Sequence, residues 1–174
     1  MTMLNDYEKF LAEFDEKLAA YFEFEKDDIK CLEGCSYCCE HGDYPFSRLE
    51  LEYAMSGFMK LPADIKKQIK DNFDKIKDEK DYVCPFLIKK KCSIYKYRSL
   101  TCRTHGLAYL KSDGAAKLPE CANLGLNFSK TFDPETKILS REIIKENLDL
   151  PEIIKSAKGY DLEFGEIRSL VKWR

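Results

Sequence analysis

Residues 31–39 read Cys31-Leu32-Glu33-Gly34-Cys35-Ser36-Tyr37-Cys38-Cys39, a C-x3-C-x2-C-C spacing. Four soft sulfur donors within nine residues can close around one inorganic centre at little loop-closure cost, which neither a surface loop nor an apolar core requires. Four further cysteines follow at a distance, Cys84, Cys92, Cys102 and Cys121, making eight in all. The step from Cys35 to Cys38 spans a tight turn that can aim two thiolates at one ion, as in zinc knuckles and cluster loops. Adjacent side chains diverge, so Cys38 and Cys39 are expected to serve different sites or to leave one thiol spare. Eight thiols would supply two four-thiolate sites.

Working outward, Leu4, Tyr7, Phe10, Leu11, Phe14, Leu18 and Phe22 recur at helical spacing and predict one amphipathic helix over residues 3–24. An acidic bend at Asp27 and Asp28 leads into the cysteine group. That group, bracketed by Gly34 and Gly42, is expected to be loop. Ser47 and Glu50 form a capping box ahead of Leu49, Tyr53, Ala54 and Phe58, marking a second helix of about three turns. Pro62, then Ile65, Ile69, Phe73 and Ile76, mark a third. The charges over 64–80 read as its solvated face.

Residues 82–88 and 92–95 are β-rich and separated by Lys89, Lys90 and Lys91, which predicts a small hairpin holding Cys84 and Cys92 near one another. A short strand is expected over 107–110, before a turn at Ser112-Asp113-Gly114. Asp133-Pro134 and Ser140 read as helix starts, followed by Ile143, Ile144 and Leu148. Pro151 interrupts before Ile153 and Ile154, and Ile167, Leu170, Val171 and Trp173 form a last apolar segment. The fold class expected is mainly helical α+β, with helices around an irregular cysteine-rich metal-binding core carrying a small β-hairpin. Residues 1–174 are taken as one domain, with a motif-bearing core at 31–121 and helical packing over 122–174.

Composition narrows the function. A chain of 174 residues can bury a core without staples, so disulfides are not required for stability. Residues 1–25 are acid-rich and offer neither a basic leader nor a continuous apolar run, so the chain reads as cytoplasmic, with no membrane partner. In a reducing compartment, grouped cysteines point to metal or thiol chemistry, although an even count would suit a secreted disulfide framework equally well. The net charge of −2 gives no general attraction to nucleic acid. No G-x-G or Gly-Lys-Ser/Thr run supports a Rossmann or P-loop nucleotide site, and no serine triad is indicated.

From Cys84 to His105 the chain carries Lys89, Lys90, Lys91, Lys96, Arg98 and Arg103 without one acid. Four thiolates around zinc, or around an oxidised [4Fe-4S] cluster, leave a net charge of about −2 that such cations would offset. A nucleic-acid patch, with Tyr95 and Tyr97 interleaved among the cations, is the disfavoured rival. His41 and His105 are candidates for a ligand, a base or a donor to sulfur. Plainer readings are an exposed charge partner for His41 and a half-buried loop residue for His105.

The cysteine run, with Cys84-Pro85-Phe86-Leu87, Cys92-Ser93-Ile94-Tyr95, Arg98 and Cys102-Arg103, resembles the family named for its CxxCxxCC motif, a zinc- or iron-chelating domain of the YkgJ type. Two departures stand out: the first gap holds three residues, Leu32 to Gly34, and Ser99 occupies a position where the family often has proline. Flagellin lysine N-methylases resemble the family through the same module, which implies a possible protein partner and side-chain modification as an alternative role. Whether the chain is an enzyme is open, and no catalytic residue is assigned. Cys31-x3-Cys35-x2-Cys38 also satisfies the radical S-adenosylmethionine pattern, but a long helix precedes it and no alternating βα units follow. The metal pool is Cys31, Cys35, Cys38, Cys39, Cys84, Cys92, Cys102 and Cys121, with a [4Fe-4S] iron–sulfur cluster preferred and zinc as the alternative. Cys84-Pro85 echoes the ligand step of cluster proteins, and cysteine outnumbers histidine.

Overall fold

A computed structural model describes residues 3–31, 34–41, 46–76, 83–111 and 113–141, and the backbone of 164–165. In chain order the elements are α1 (Met3–Phe24), α2 (Tyr37–His41), β1 (Phe46–Ser47), α3 (Arg48–Met59), α4 (Ala63–Lys75), β2 (Leu87–Ile88), β3 (Lys91–Cys92), α5 (Leu100–Thr104), β4 (Tyr109–Leu110), β5 (Ala116–Lys117), β6 (Phe132–Asp133), β7 (Ile138–Leu139) and β8 (Phe164–Gly165). Short 3-10 turns lie at Tyr95–Tyr97 and Glu120–Leu124. The strands form antiparallel pairs, β1 with β8, β2 with β3, β4 with β5 and β6 with β7. The class is mainly helical α+β, as the patterning indicates. Among the described residues no helix is long and apolar enough to cross a membrane.

Contacts divide the chain into two units, one of residues 1–31 with 104–159 and one of residues 32–103 with 160–174. In the first, α1 covers the predicted span and buries Tyr7, Leu11, Phe14, Leu18 and Tyr21. Their four-three spacing keeps one stripe turned inward, and each such side chain contributes about 1.5–3 kcal/mol on burial. The stripe ends on Tyr21 instead of Phe22, and the Tyr21 hydroxyl donates to the Ala108 carbonyl at 2.8 Å. Burial first, then the Glu25 charge, pushes the Tyr21 phenol well above its usual range, so it remains a neutral donor. Just beyond, buried Glu25 and Asp28 are clasped by Arg141, whose Nε donates to Asp28 Oδ2 at 2.9 Å and whose Nη2 bonds Glu25 Oε2.

The second unit is built on α3 and α4. Glu50 N donates to Ser47 Oγ at 3.2 Å and Ser47 N donates to Glu50 Oε2 at 2.8 Å, the reciprocal cap expected of this pair. Pro62 caps α4, which buries Ile69 and Phe73. These join Phe46, Leu51, Ala54, Phe58, Ile76, Phe86 and Ile94 in one apolar cluster, with Phe73 and Phe86 edge to face at 5.6 Å. Gly57 lets α3 pass over Tyr97, because a Cβ there would stand 2.3 Å from the ring.

Four expectations change. The first cysteine group is not all loop, since Cys38 and Cys39 lie in α2. The lysine hairpin is tighter than predicted: Lys89 and Lys90 alone form the turn, at φ 50° and 64°, and Cys92 pairs with Leu87, leaving Cys84 ahead of the strand. Asp133 starts no helix. Its Oδ1 accepts from Glu135 N at 2.9 Å and its Oδ2 accepts from the Thr136 hydroxyl at 2.7 Å, so it organises the β6–β7 turn. Ser140 closes that hairpin, with its N–H donating to the Thr131 carbonyl at 2.7 Å. The helix anticipated over 143–148 and the apolar segments at 151–154 and 167–173 lie outside the described residues.

Candidate metal centre

Ser36 stands immediately before α2 and its hydroxyl donates to Glu40 Oε1 at 2.7 Å, while His41 stacks on Tyr37 with ring centroids 4.4 Å apart. These contacts brace a five-residue helix that would be marginal alone. Cys38 and Cys39 Sγ lie 4.0 Å apart. The expected divergence of these neighbours is therefore overcome, because each χ1 can swing its sulfur toward the other within one turn. The Cys39 carbonyl accepts from Cys84 N at 2.7 Å, which joins α2 to the approach of the β2–β3 hairpin. From the hairpin tip, Lys90 bonds Glu40, and this ammonium, followed by Ser36, holds the Glu40 carboxyl below its usual range.

Cys84, Cys92 and Cys102 pack against the apolar cluster of this unit. Cys39 lies against Cys38 and is influenced electrostatically by Cys84 and Cys92, Cys92 feels Cys38, and Cys102 feels both Cys92 and Cys38. Five of the eight predicted ligands thus lie within electrostatic reach of another thiol, with direct sulfur contact shown at Cys38–Cys39. Cys35 is exposed in the same unit, whereas Cys31 (exposed) and Cys121 (buried) belong to the other unit, and none of the eight cysteines is in a disulfide. Among the described residues, no three His, Cys, Asp or Glu side chains meet at a single point suited to one ion.

The electrostatics explain why the thiols hold their protons. For Cys38 the Cys39 contact, then burial, pushes the thiol far up. For Cys39 the bond from Cys38 acts downward but is outweighed by the Cys84 contact and burial. Burial raises Cys92, and it pushes Cys102 up to about 11. Each thiolate would face its neighbours' charge in apolar surroundings, so a negative network needs a cation to stabilise it. An all-sulfur donor set with apolar backing fits zinc or iron, and binding would exchange thiol protons for metal.

The basic residues act more locally than their clustering suggests. Arg98 donates from Nε to the Tyr95 carbonyl at 2.9 Å and lies 3.5 Å from the Tyr95 ring centroid, while its charge favours thiolate at Cys92 and Cys102. Buried Arg103 staples the loop, with Nε to the Arg98 carbonyl at 3.1 Å and Nη2 to the Lys96 carbonyl at 2.6 Å. His41 is exposed, with Nδ1 3.1 Å from the Tyr37 carbonyl. His105 is half-buried, and burial lowers its imidazole below the usual value, so it is neutral at pH 7.

Sequence reasoning missed several supporting residues. Ser99 is buried, and its hydroxyl accepts from Cys102 N at 3.3 Å, capping the helix that presents Cys102. A serine three residues before a helical cysteine was a readable cap signal. The Glu50 bond from Leu100 N, at 2.8 Å across 50 residues, had no local signal. Neither did the partners of Asn127, described below.

A family model, CxxCxxCC, described as "Putative zinc- or iron-chelating domain", matches residues 30–122. No curated protein and no solved structure matches the chain.

Proposed function

This chain belongs to the CxxCxxCC family, and from that premise we propose that it holds an iron–sulfur cluster through thiolates drawn from Cys38, Cys39, Cys84, Cys92 and Cys102. The observation that carries the reading is the touching Cys38–Cys39 pair together with Cys84, Cys92 and Cys102 packed on the apolar cluster of the same unit. Each thiolate of a four-iron cluster binds its own iron, so its ligands surround a volume. Sulfurs drawn from α2, the β2–β3 hairpin and α5 suit that demand better than a single convergence point. Cluster chemistry would supply electron transfer or Lewis acidity. The protein's part is to place the sulfurs, back Cys84, Cys92 and Cys102 with the apolar cluster, and favour thiolate at Cys92 and Cys102 through Arg98.

One observation favours zinc as a second reading. Four sulfurs about 2.3 Å from a tetrahedral ion are separated by about 3.8 Å, close to the Cys38–Cys39 distance of 4.0 Å. Iron, zinc and acid-labile sulfide, measured on anaerobically purified protein, separate the two. Equimolar iron and sulfide with a visible charge-transfer band support the cluster. Stoichiometric zinc in a colourless, sulfide-free product replaces it with a zinc-stabilised module, and absence of all three rejects metal binding. Grouped cysteines read as metal ligands suit a reducing compartment, so the proposed location is the cytoplasm.

A further inference from the structure

Asn127 lies outside the residues matched by the family model and is only 1% exposed, yet every polar atom of its side chain is engaged. Oδ1 accepts from Lys30 N at 2.8 Å, and Nδ2 donates to the Gly106 carbonyl at 2.8 Å and to Cys31 Sγ at 3.2 Å. The carboxamide cannot be turned around. A backbone N–H must face its oxygen and a backbone carbonyl must face its nitrogen, which fixes the group next to Cys31 as the NH2. The sulfur therefore receives a hydrogen. A neutral thiol is a poor acceptor, whereas a metal-bound thiolate is a good one.

Two further features hold this arrangement. Gly106 has φ +95°, and a Cβ there would stand 2.6 Å from Cys31 Sγ, so the absence of a side chain is what admits the sulfur. Phe128, next to Asn127, is fully buried at φ 56°, a left-handed conformation that is strained for a residue with a Cβ. Its N–H donates to the Asp28 carbonyl at 2.7 Å, so residues 28–31 and 127–128 are fastened by several bonds that over-determine the strained turn.

We propose that Asn127 is a positioning residue for a metal-bound Cys31, its buried carboxamide fixing the sulfur as a hydrogen-bond acceptor toward the ion. The proposal rests on the reading of this chain as a metal–thiolate protein and concerns only Cys31 and its dedicated donor, both in the first unit. Partners of this kind typically change metal affinity 10–100-fold when removed.

The test uses full-length protein loaded with 113Cd(II) alone. Scalar coupling between 113Cd and an Asn127 side-chain amide proton, transmitted through the N–H···S bond, is expected in the unaltered chain. Cadmium affinity should fall about 10–100-fold in Asn127→Asp, which keeps the shape and the Lys30 contact but lacks the donors. The fall should match Cys31→Ser, and the double variant should be no weaker than Cys31→Ser. Loaded protein without that coupling overturns the proposal, as does a double variant weaker than either single one. The coupling needs no substitution, so it decides the matter even where Asn127→Asp fails to fold. Cadmium bound through thiolates but indifferent to Cys31→Ser overturns this inference alone, whereas a chain that binds no cadmium, zinc or iron overturns the metal reading with it.

Discussion

The two units handle their buried polar chemistry in opposite ways. In the first, Glu25 and Asp28 are matched by the Arg141 guanidinium, Tyr21 by a carbonyl, and Asn127 by three partners, so that interior is completed by the chain's own groups. In the second, the Cys38 and Cys39 sulfurs meet at 4.0 Å, and burial together with neighbouring thiols raises the pKa values of Cys38, Cys39, Cys92 and Cys102. Carboxylates and guanidinium neutralise each other, but sulfurs cannot neutralise sulfurs. The difference separates a region whose charges are matched by the chain's own groups from one whose thiols stay protonated.

Metal removal should break the symmetry most sharply. Chelation is expected to lower the stability of the second unit by about 4 kcal/mol, the linkage value for a ligand present at a thousand times its dissociation constant. Hydrogen exchange should then accelerate at residues 84–102, while α1 stays protected. Uniform protection with and without metal would contradict this. Because the metal-free thiols hold their protons, binding should release them, and affinity should fall as pH falls. Calorimetry in two buffers of different ionisation enthalpy reads that release directly.

Arg141→Met tests the other side. It leaves two buried carboxylates uncompensated and should cost about 3–5 kcal/mol in denaturant unfolding, with the metal content of the second unit unchanged. A loss below about 1 kcal/mol would show that water already solvates the pair. Ser99→Ala should cost about 1 kcal/mol by uncapping α5, and should also weaken metal binding because Cys102 rides on that helix. Equal metal affinity in the variant would separate the cap from the site. Smallest of all, Lys89→Asn should raise stability by a few tenths of a kcal/mol, since asparagine tolerates the left-handed turn better than lysine. An unchanged melting temperature would mean that the turn carries no strain.

Much of this was legible in the chain. The four-three stripe of α1, the Ser47–Glu50 box and Pro62 were read correctly because each is local, deciding a helix from its own face or its own cap. Asp133-Pro134 misled because an aspartate before proline opens a hairpin turn as readily as a helix, and the residues that follow do not distinguish the two. The candidate site was legible as a pool of sulfur but not as a grouping. Nothing in the spacing says that Cys38, Cys39, Cys84, Cys92 and Cys102 share one unit while Cys31 and Cys121 share another.

By itself, then, the sequence determined the element types and the donor chemistry, since periodicity, caps and ligand softness are properties of residues and their near neighbours. Only the tertiary structure decided which sulfurs sense one another and that Asn127 reaches Cys31 across 96 residues. Such pairings depend on how the connecting segments pack, and packing energy is shared among many side chains with no local signature in the chain.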